Sequence, residues 1–307
     1  MNARLLAAAA VLGLSASAFA VTVDGSTVGD GYSLRATQTV QTGFGDNASE
    51  LNAAYARVEG GRLYVALTGN IEGNFNKLNV FIHTGAAGGE NVITASSGSG
   101  GNNTGDDGWA DKYAGFTFDS NFSANYMLIF RRGNDFGADK FDVNIAQVGT
   151  TNSWGFTDVF GGTQEGSVSG LTGGVAANGL DVAYNNANVA GIGGDGSSAA
   201  DPVAAQAVTT GLEFSIALAD LGSPNIGDIK ISAMVNGGSH DYLSNQFLGG
   251  LPAPQGNLGG DGAGGYNGTV GDIDLNNYAG DQWFDVPTPG AVTLLGLAGL
   301  AGIRRRR

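Results

Sequence analysis

Two groups of oxygen-bearing side chains lie close enough in the chain to act together. Asp106, Asp107 and Asp111 surround Trp109 in "DDGWADKY", and Asp272, Asp274 and Asn276 alternate in "DIDLN". A hard cation needs several oxygen ligands converging on it, so either group could hold calcium; the plainer alternative is a solvated turn. The second group starts like an EF-hand loop, yet Asn277 stands in the place of the tight-turn glycine and Trp283 in that of the closing glutamate. It is therefore not that motif.

Aromatic side chains offer a different chemistry, because an exposed indole or phenol face stacks on the C–H surface of a sugar ring. Trp109, Tyr113, Trp154 and Trp283 lie near loop sequence and are the candidate glycan-binding platforms. Core packing is the competing role for each of them.

Nucleophilic catalysis is poorly supplied. A Ser-His-Asp arrangement needs a histidine base, and the only histidines are His83 and His240. In "GGSHDY" the residues Ser239, His240 and Asp241 are consecutive, a spacing that does not ordinarily build the triad's hydrogen-bond chain. "GSVSG" carries Val168 where a nucleophile elbow carries serine. G-x-G-x-x-G occurs at Gly191-Gly193-Gly196 and Gly260-Gly262-Gly265. With 54 glycines in 307 residues such matches arise by chance, and neither follows a strand and opens a helix as a phosphate loop does. The chain has no cysteine, which excludes disulfides, zinc thiolates and iron–sulfur clusters. No catalytic residue is assigned.

Composition sets the surroundings of these candidates. The 42% hydrophobic content is enough for one sizeable core. Abundant glycine, with many Asn, Asp, Ser and Thr, points to short strands joined by turns. Of the 14 basic residues, Arg4 and Arg304 to Arg307 lie in end segments without acids, so the middle carries nine basic against 28 acidic residues, a net −19. That surface repels nucleic acid and anionic lipid, and it suits divalent cations or a salty medium.

The ends carry export chemistry. Met1 to Ala20, "MNARLLAAAAVLGLSASAFA", has a basic start at Arg4, an apolar stretch and a small-x-small end at Ala18 and Ala20. This is the pattern of a secretory signal peptide cut after Ala20, delivered through the Sec translocon. At the other end, the apolar run Ala291 to Ile303 would be roughly 20 Å long as a helix, short of a hydrocarbon core of about 30 Å. Pro287 and Pro289 prevent its extension backwards, and Arg304 to Arg307 resist translocation.

A proline motif, an apolar helix and a terminal arginine cluster in that order resemble the PEP-CTERM sorting signals processed by exosortases. The resemblance implies that Pro287, Thr288 and Pro289 form the recognition motif, with Thr288 where glutamate is usual. It implies that Ala291 to Ile303 form a transient inner-membrane helix and that Arg304, Arg305, Arg306 and Arg307 hold the tail inside. It further implies a Gram-negative-type envelope and a cell-surface or exopolysaccharide-associated destination.

Between a signal peptide over 1–20 and a sorting tail over 286–307, residues 21–285 read as one β domain. Leu63, Val65 and Leu67 alternate with Tyr64, Ala66 and Thr68, and Leu78, Val80 and Ile82 alternate with Asn79, Phe81 and His83. A period of two marks sheet. Further strands are expected at Tyr32 to Gln41, Leu51 to Glu59, Ala114 to Phe118, Tyr126 to Arg131, Lys140 to Val148, Gly179 to Val189, Leu212 to Ala219, Asp228 to Val235 and Gln282 to Val286. That many short strands predict an all-β fold, two antiparallel sheets packed as a jelly-roll-like sandwich. Gly85 to Asp107, Gly191 to Pro202 and Gly249 to Gly271 read as loops.

"LYVALTGNIEGNFNKLNVFIHT" (Leu63 to Thr84) and "GLEFSIALADLG" (Gly211 to Gly222) resemble secreted β-sandwiches related to family-nine carbohydrate-binding modules and DOMON domains. Ala217 stands where that group usually has proline. The resemblance implies the sandwich fold and a sugar-binding precedent. It also raises the His/Met haem ligation of some DOMON proteins, here His83 with Met127 or Met234. The leading expectation is a non-enzymatic exported surface or matrix protein, structural or glycan-binding. The rival is an extracellular glycosidase whose two carboxyl groups come from distant strands.

Overall fold

The computed structural model describes residues 20–95 and 108–288. Ala18, Asp106, Asp107, Pro289, the arginine cluster and both terminal apolar segments lie outside the described residues. Among the described residues no helix is long and apolar enough to cross a membrane.

The chain folds as the expected all-β sandwich of two antiparallel sheets. One contains β1 (Ser33–Thr37), β2 (Glu50–Glu59), β3 (Arg62–Asn70), β8 (Gly166–Gly173), β9 (Ala176–Tyr184) and β10 (Gly211–Ala217) in the order β1-β2-β3-β10-β9-β8. The other contains β4 (Asn74–His83), β5 (Tyr126–Asp135), β6 (Ala138–Gln147), β7 (Ser153–Phe156), β11 (Lys230–Asn236) and β12 (Leu243–Leu248) in the order β12-β11-β4-β5-β6-β7. The short β13 (Phe284–Asp285) also pairs with β11.

Alternation decides which side chains meet. Leu63, Val65 and Leu67 of β3 face Leu78, Val80 and Ile82 of β4 across the main core, with Phe130, Phe141 and Phe214 filling the space between the sheets. The opposite face of the second sheet is also buried. There Phe81, Met127, Ile129, Met234 and Phe247 form a second core, capped by Trp109, Tyr113, Phe116, Phe118 and Phe122 and by Leu251, Leu258, Val270, Ile273 and Leu275 from the loops. This explains why β5 reads "YMLIF" with no polar alternation: both of its faces are dry.

Three strands escape the periodicity argument. β8, "GSVSGLTG", is a glycine-rich edge strand with mostly exposed residues; β7 has only four residues, and β12, "LSNQFL", is buried along its whole length. The strand expected at Ala114 to Phe118 is not formed. Phe116 and Phe118 point into the second core from a loop, and only Thr117 makes isolated bridges, to Val92 and Asp274. The cap contains α1 (Trp109–Tyr113), and α2 (Pro202–Ala207) begins at the Asp201 N-cap, whose side chain accepts from the Val203 and Ala204 amides.

Candidate functional site

Phe75 opens the site. It sits at the start of β4 with φ +66°, a left-handed conformation that is strained for an aromatic residue. The register of the β4–β5 ladder shifts between Asn74 and Lys77, so Phe75 belongs to an irregular segment. Its ring lies against Gly133 of β5, where a Cβ would meet ring atoms at 2.5 Å. Only glycine leaves room for the ring there.

Beside that ring the sheet register sets one polar row on the outer face: Asn236, Lys77, Arg131 and Asp142 are successive partners across β11, β4, β5 and β6. The turn from β11 to β12 folds over the row, and Lys77 Nζ donates to the Gly238 carbonyl. Lys112 arrives from α1, its Nζ donating to Gly268 O at 2.7 Å. Together these elements enclose an open pocket of about 570 Å³, lined by Phe75, Lys77, Lys112 and Arg131 and by Gly238, Ser239 and Asp241 of the turn. Arg131 Nε donates to Asp142 Oδ2 at 3.2 Å, and the Asp241 carboxylate accepts from Tyr266 Oη at 3.0 Å.

Beneath the turn lies His240, 0% exposed, with neither ring nitrogen hydrogen-bonded. Burial first, then the nearby charges of Lys77, Arg131 and Lys112, holds its pKa well below the usual imidazole range. The ring is neutral and faces Tyr113 edge-on at 6.3 Å. Ser239, His240 and Asp241 therefore form no relay: Ser239 and Asp241 face the pocket while His240 is sealed under it.

The aromatics proposed from sequence are placed elsewhere. Trp109 and Tyr113, 1% and 0% exposed, are core residues of the cap, so neither presents a face to a sugar. Tyr113 Oη instead accepts from Asn79 Nδ2 at 2.7 Å and Asn236 Nδ2 at 3.1 Å. Half-buried Trp154 packs over Gly173 and Gly174, where a Cβ would come within 2.4 and 2.7 Å of it. Trp283 is half-buried and carries Lys230 Nζ over its ring at 4.1 Å from the centroid. Phe75 was missed, although "EGNFNK" isolates it between turn residues and a cation.

Of the two acidic groups from sequence, only that of Asp272, Asp274 and Asn276 lies wholly within the described residues, and its side chains turn to local hydrogen bonds. Asp111 is exposed on α1, with its companions Asp106 and Asp107 outside the described residues. Asp274 caps a 3-10 turn by accepting from the Asn276 amide, and Asp272 accepts from Asn267. A different set gathers on the outer face of the first sheet, where oxygens of Asp24, Asp30 and Glu213 lie within 4.8 Å of one another. Both Glu213 oxygens are already occupied, one by Tyr32 Oη at 2.6 Å and the other by the Asp24 and Gly25 amides at 2.8 and 3.0 Å. Burial pushes the carboxyl up to about 7 against those hydrogen bonds. At 1% exposure Glu213 is closed to a substrate, so the trio pins the 24–32 segment to the sheet rather than forming a cleft with paired carboxylates.

Haem does not fit the residues suggested for it. His83 Nδ1 lies 2.8 Å from the Ser123 carbonyl, and Met127 and Met234 are fully buried among the rings of the second core. No family model, curated protein or solved structure matches the chain.

Proposed function

We propose that the chain is a non-enzymatic exported protein of the cell surface or extracellular matrix, and that it binds glycan in the pocket beside Phe75. The observation that carries this reading is the pairing of a flat aromatic ring with several fixed donors around one open 570 Å³ pocket, a size that admits one or two sugar units. The ring supplies an apolar face for sugar C–H groups, and the lysine, arginine and serine donors match hydroxyl oxygens.

Export is supported by the Met1 to Ala20 pattern and by Pro287 to Arg307, which resembles a PEP-CTERM tail for an exosortase-like processing enzyme. On this reading the inner membrane is a transient station and exopolysaccharide the partner. Incubating the purified protein with a panel of insoluble polysaccharides tests the binding half: retention on at least one is expected, and retention on none overturns it. Intact mass of the surface-extracted protein tests the sorting half, with a C-terminus near Pro287 to Pro289 expected and a retained Arg307 overturning it.

A further inference from the structure

Resting on the glycan-binding reading, we infer that Phe136, at the tip of the β5–β6 hairpin, is a second stacking platform for the saccharide held at Phe75, so that the site takes a polysaccharide chain several units long. Phe136 and Gly137 are the whole of the two-residue turn, since Asp135 pairs directly with Ala138. Both have positive φ, +51° and +90°, the conformation that such a turn demands and that asparagine, aspartate or glycine adopts most easily. A phenylalanine there is held against its backbone preference. Its side chain gains no packing within the chain in return, for the residue is 105% exposed. A lone exposed apolar residue is ordinary. One that also occupies a strained turn position points to a contact outside the molecule.

The hairpin holds that residue in place. Gly137 N donates to Asn134 Oδ1 at 2.8 Å, Asn134 Nδ2 donates to Asp139 Oδ1 at 2.8 Å, and Gln164 Nε2 donates to the same Asp139 oxygen at 2.8 Å. Lys140 Nζ donates to Asp135 Oδ2 at 2.6 Å across the last rung. A ring carried on so braced a turn loses little freedom on meeting a ligand.

Position decides the ligand. Phe136 lies three residues along the chain from Gly133, against which the Phe75 ring packs, or roughly 10 Å at the rise of a strand. Asn74, exposed and directly opposite Gly133, adds an amide side chain beside the Phe75 ring that suits sugar hydroxyls. Two apolar rings set that far apart on one sheet end reach successive units of a sugar chain, whereas a monosaccharide or disaccharide fills the pocket alone. Asp135 and Asp139 beside the tip disfavour insertion into an anionic lipid surface.

Depletion isotherms of the full protein on microcrystalline cellulose, chitin, insoluble xylan and curdlan test the inference, with the disaccharide and hexasaccharide of each polymer as competitors. On the polymer that retains the parent, Phe136→Asn is expected to bind about five- to tenfold more weakly, the loss of one stacking contact, and Phe136→Trp at least as tightly as the parent. The thermal midpoint of Phe136→Asn should be unchanged or higher, because asparagine suits the turn. Against the parent the hexasaccharide should compete better than the disaccharide, and Phe136→Asn should lose most of that advantage while the disaccharide competes as before.

Parental affinity and an undiminished hexasaccharide preference in Phe136→Asn overturn Phe136 as a platform and leave glycan binding at Phe75 intact. Self-association of the parent that Phe136→Asn abolishes, with polymer affinity unchanged, also overturns it and assigns the ring to a second copy of the chain. Retention of the parent on none of the polymers overturns this inference together with the glycan reading.

Discussion

Lys77 and Arg131 stand directly opposite each other across the β4–β5 ladder. Lys77 is 1% exposed, and its Nζ donates to the Gly238 carbonyl, which fastens the β11–β12 turn to β4. Methionine keeps the unbranched stem and loses that donor, so Lys77→Met is expected to lower the urea midpoint by the equivalent of about 1–3 kcal/mol at constant m. An unchanged midpoint would show that the turn is held without Lys77.

Phe75 and Gly133 offer a test that leaves every charge in place. Alanine at Gly133 suits its extended backbone, but the new methyl would enter the Phe75 ring. Gly133→Ala is expected to displace the ring, cost about 1–3 kcal/mol and reduce retention on the polysaccharide that binds the parent protein. Unchanged saccharide binding in a variant that remains folded would remove the ring from the site.

How much could be read from the chain depended on whether a residue's role is local. The alternation of Leu63, Val65 and Leu67 needs only the strand that carries it, so the main core and the sandwich were legible. β8 was not, because its glycines and serines lie on an exposed edge and carry no apolar period. Trp109 and Tyr113 were misplaced because the second core exists only once distant loops close over β4, β5 and β11. The pocket was invisible for the same reason: Lys112 reaches Lys77 and Arg131 through the fold, and nothing in the spacing of positions 77, 112, 131 and 239 announces a shared wall.

Tyr113 ties the cap to the sheet through one oxygen. Its hydroxyl accepts from both Asn79 and Asn236, which are fully buried. Tyr113→Phe keeps the ring and strands both amide donors, so a loss of about 1–3 kcal/mol in unfolding free energy is expected. Chemical denaturation measures it. A change within about 0.5 kcal/mol would mean that the amides find other partners and that ring packing alone holds the cap.

Glu213 makes the attachment of the 24–32 segment depend on pH. Its carboxyl titrates at about 7 in the fold against an ordinary 4.5, raised chiefly by burial, so the folded state favours the protonated form. The contribution is therefore complete below about pH 4.5 and is lost as pH rises through 7, amounting to about 3 kcal/mol across that window. Burial also raises Asp30 and moves Asp119 to about 6, which act in the same direction. Glu213→Gln isolates the one group, since its amide can donate to the Tyr32 oxygen while its carbonyl accepts from the Asp24 and Gly25 amides. The variant should match the parent near pH 4.5 and exceed it increasingly up to pH 8 in denaturation midpoint. Parallel pH profiles for the two proteins would show that the Glu213 carboxyl is not raised and that the segment is held without a titrating latch.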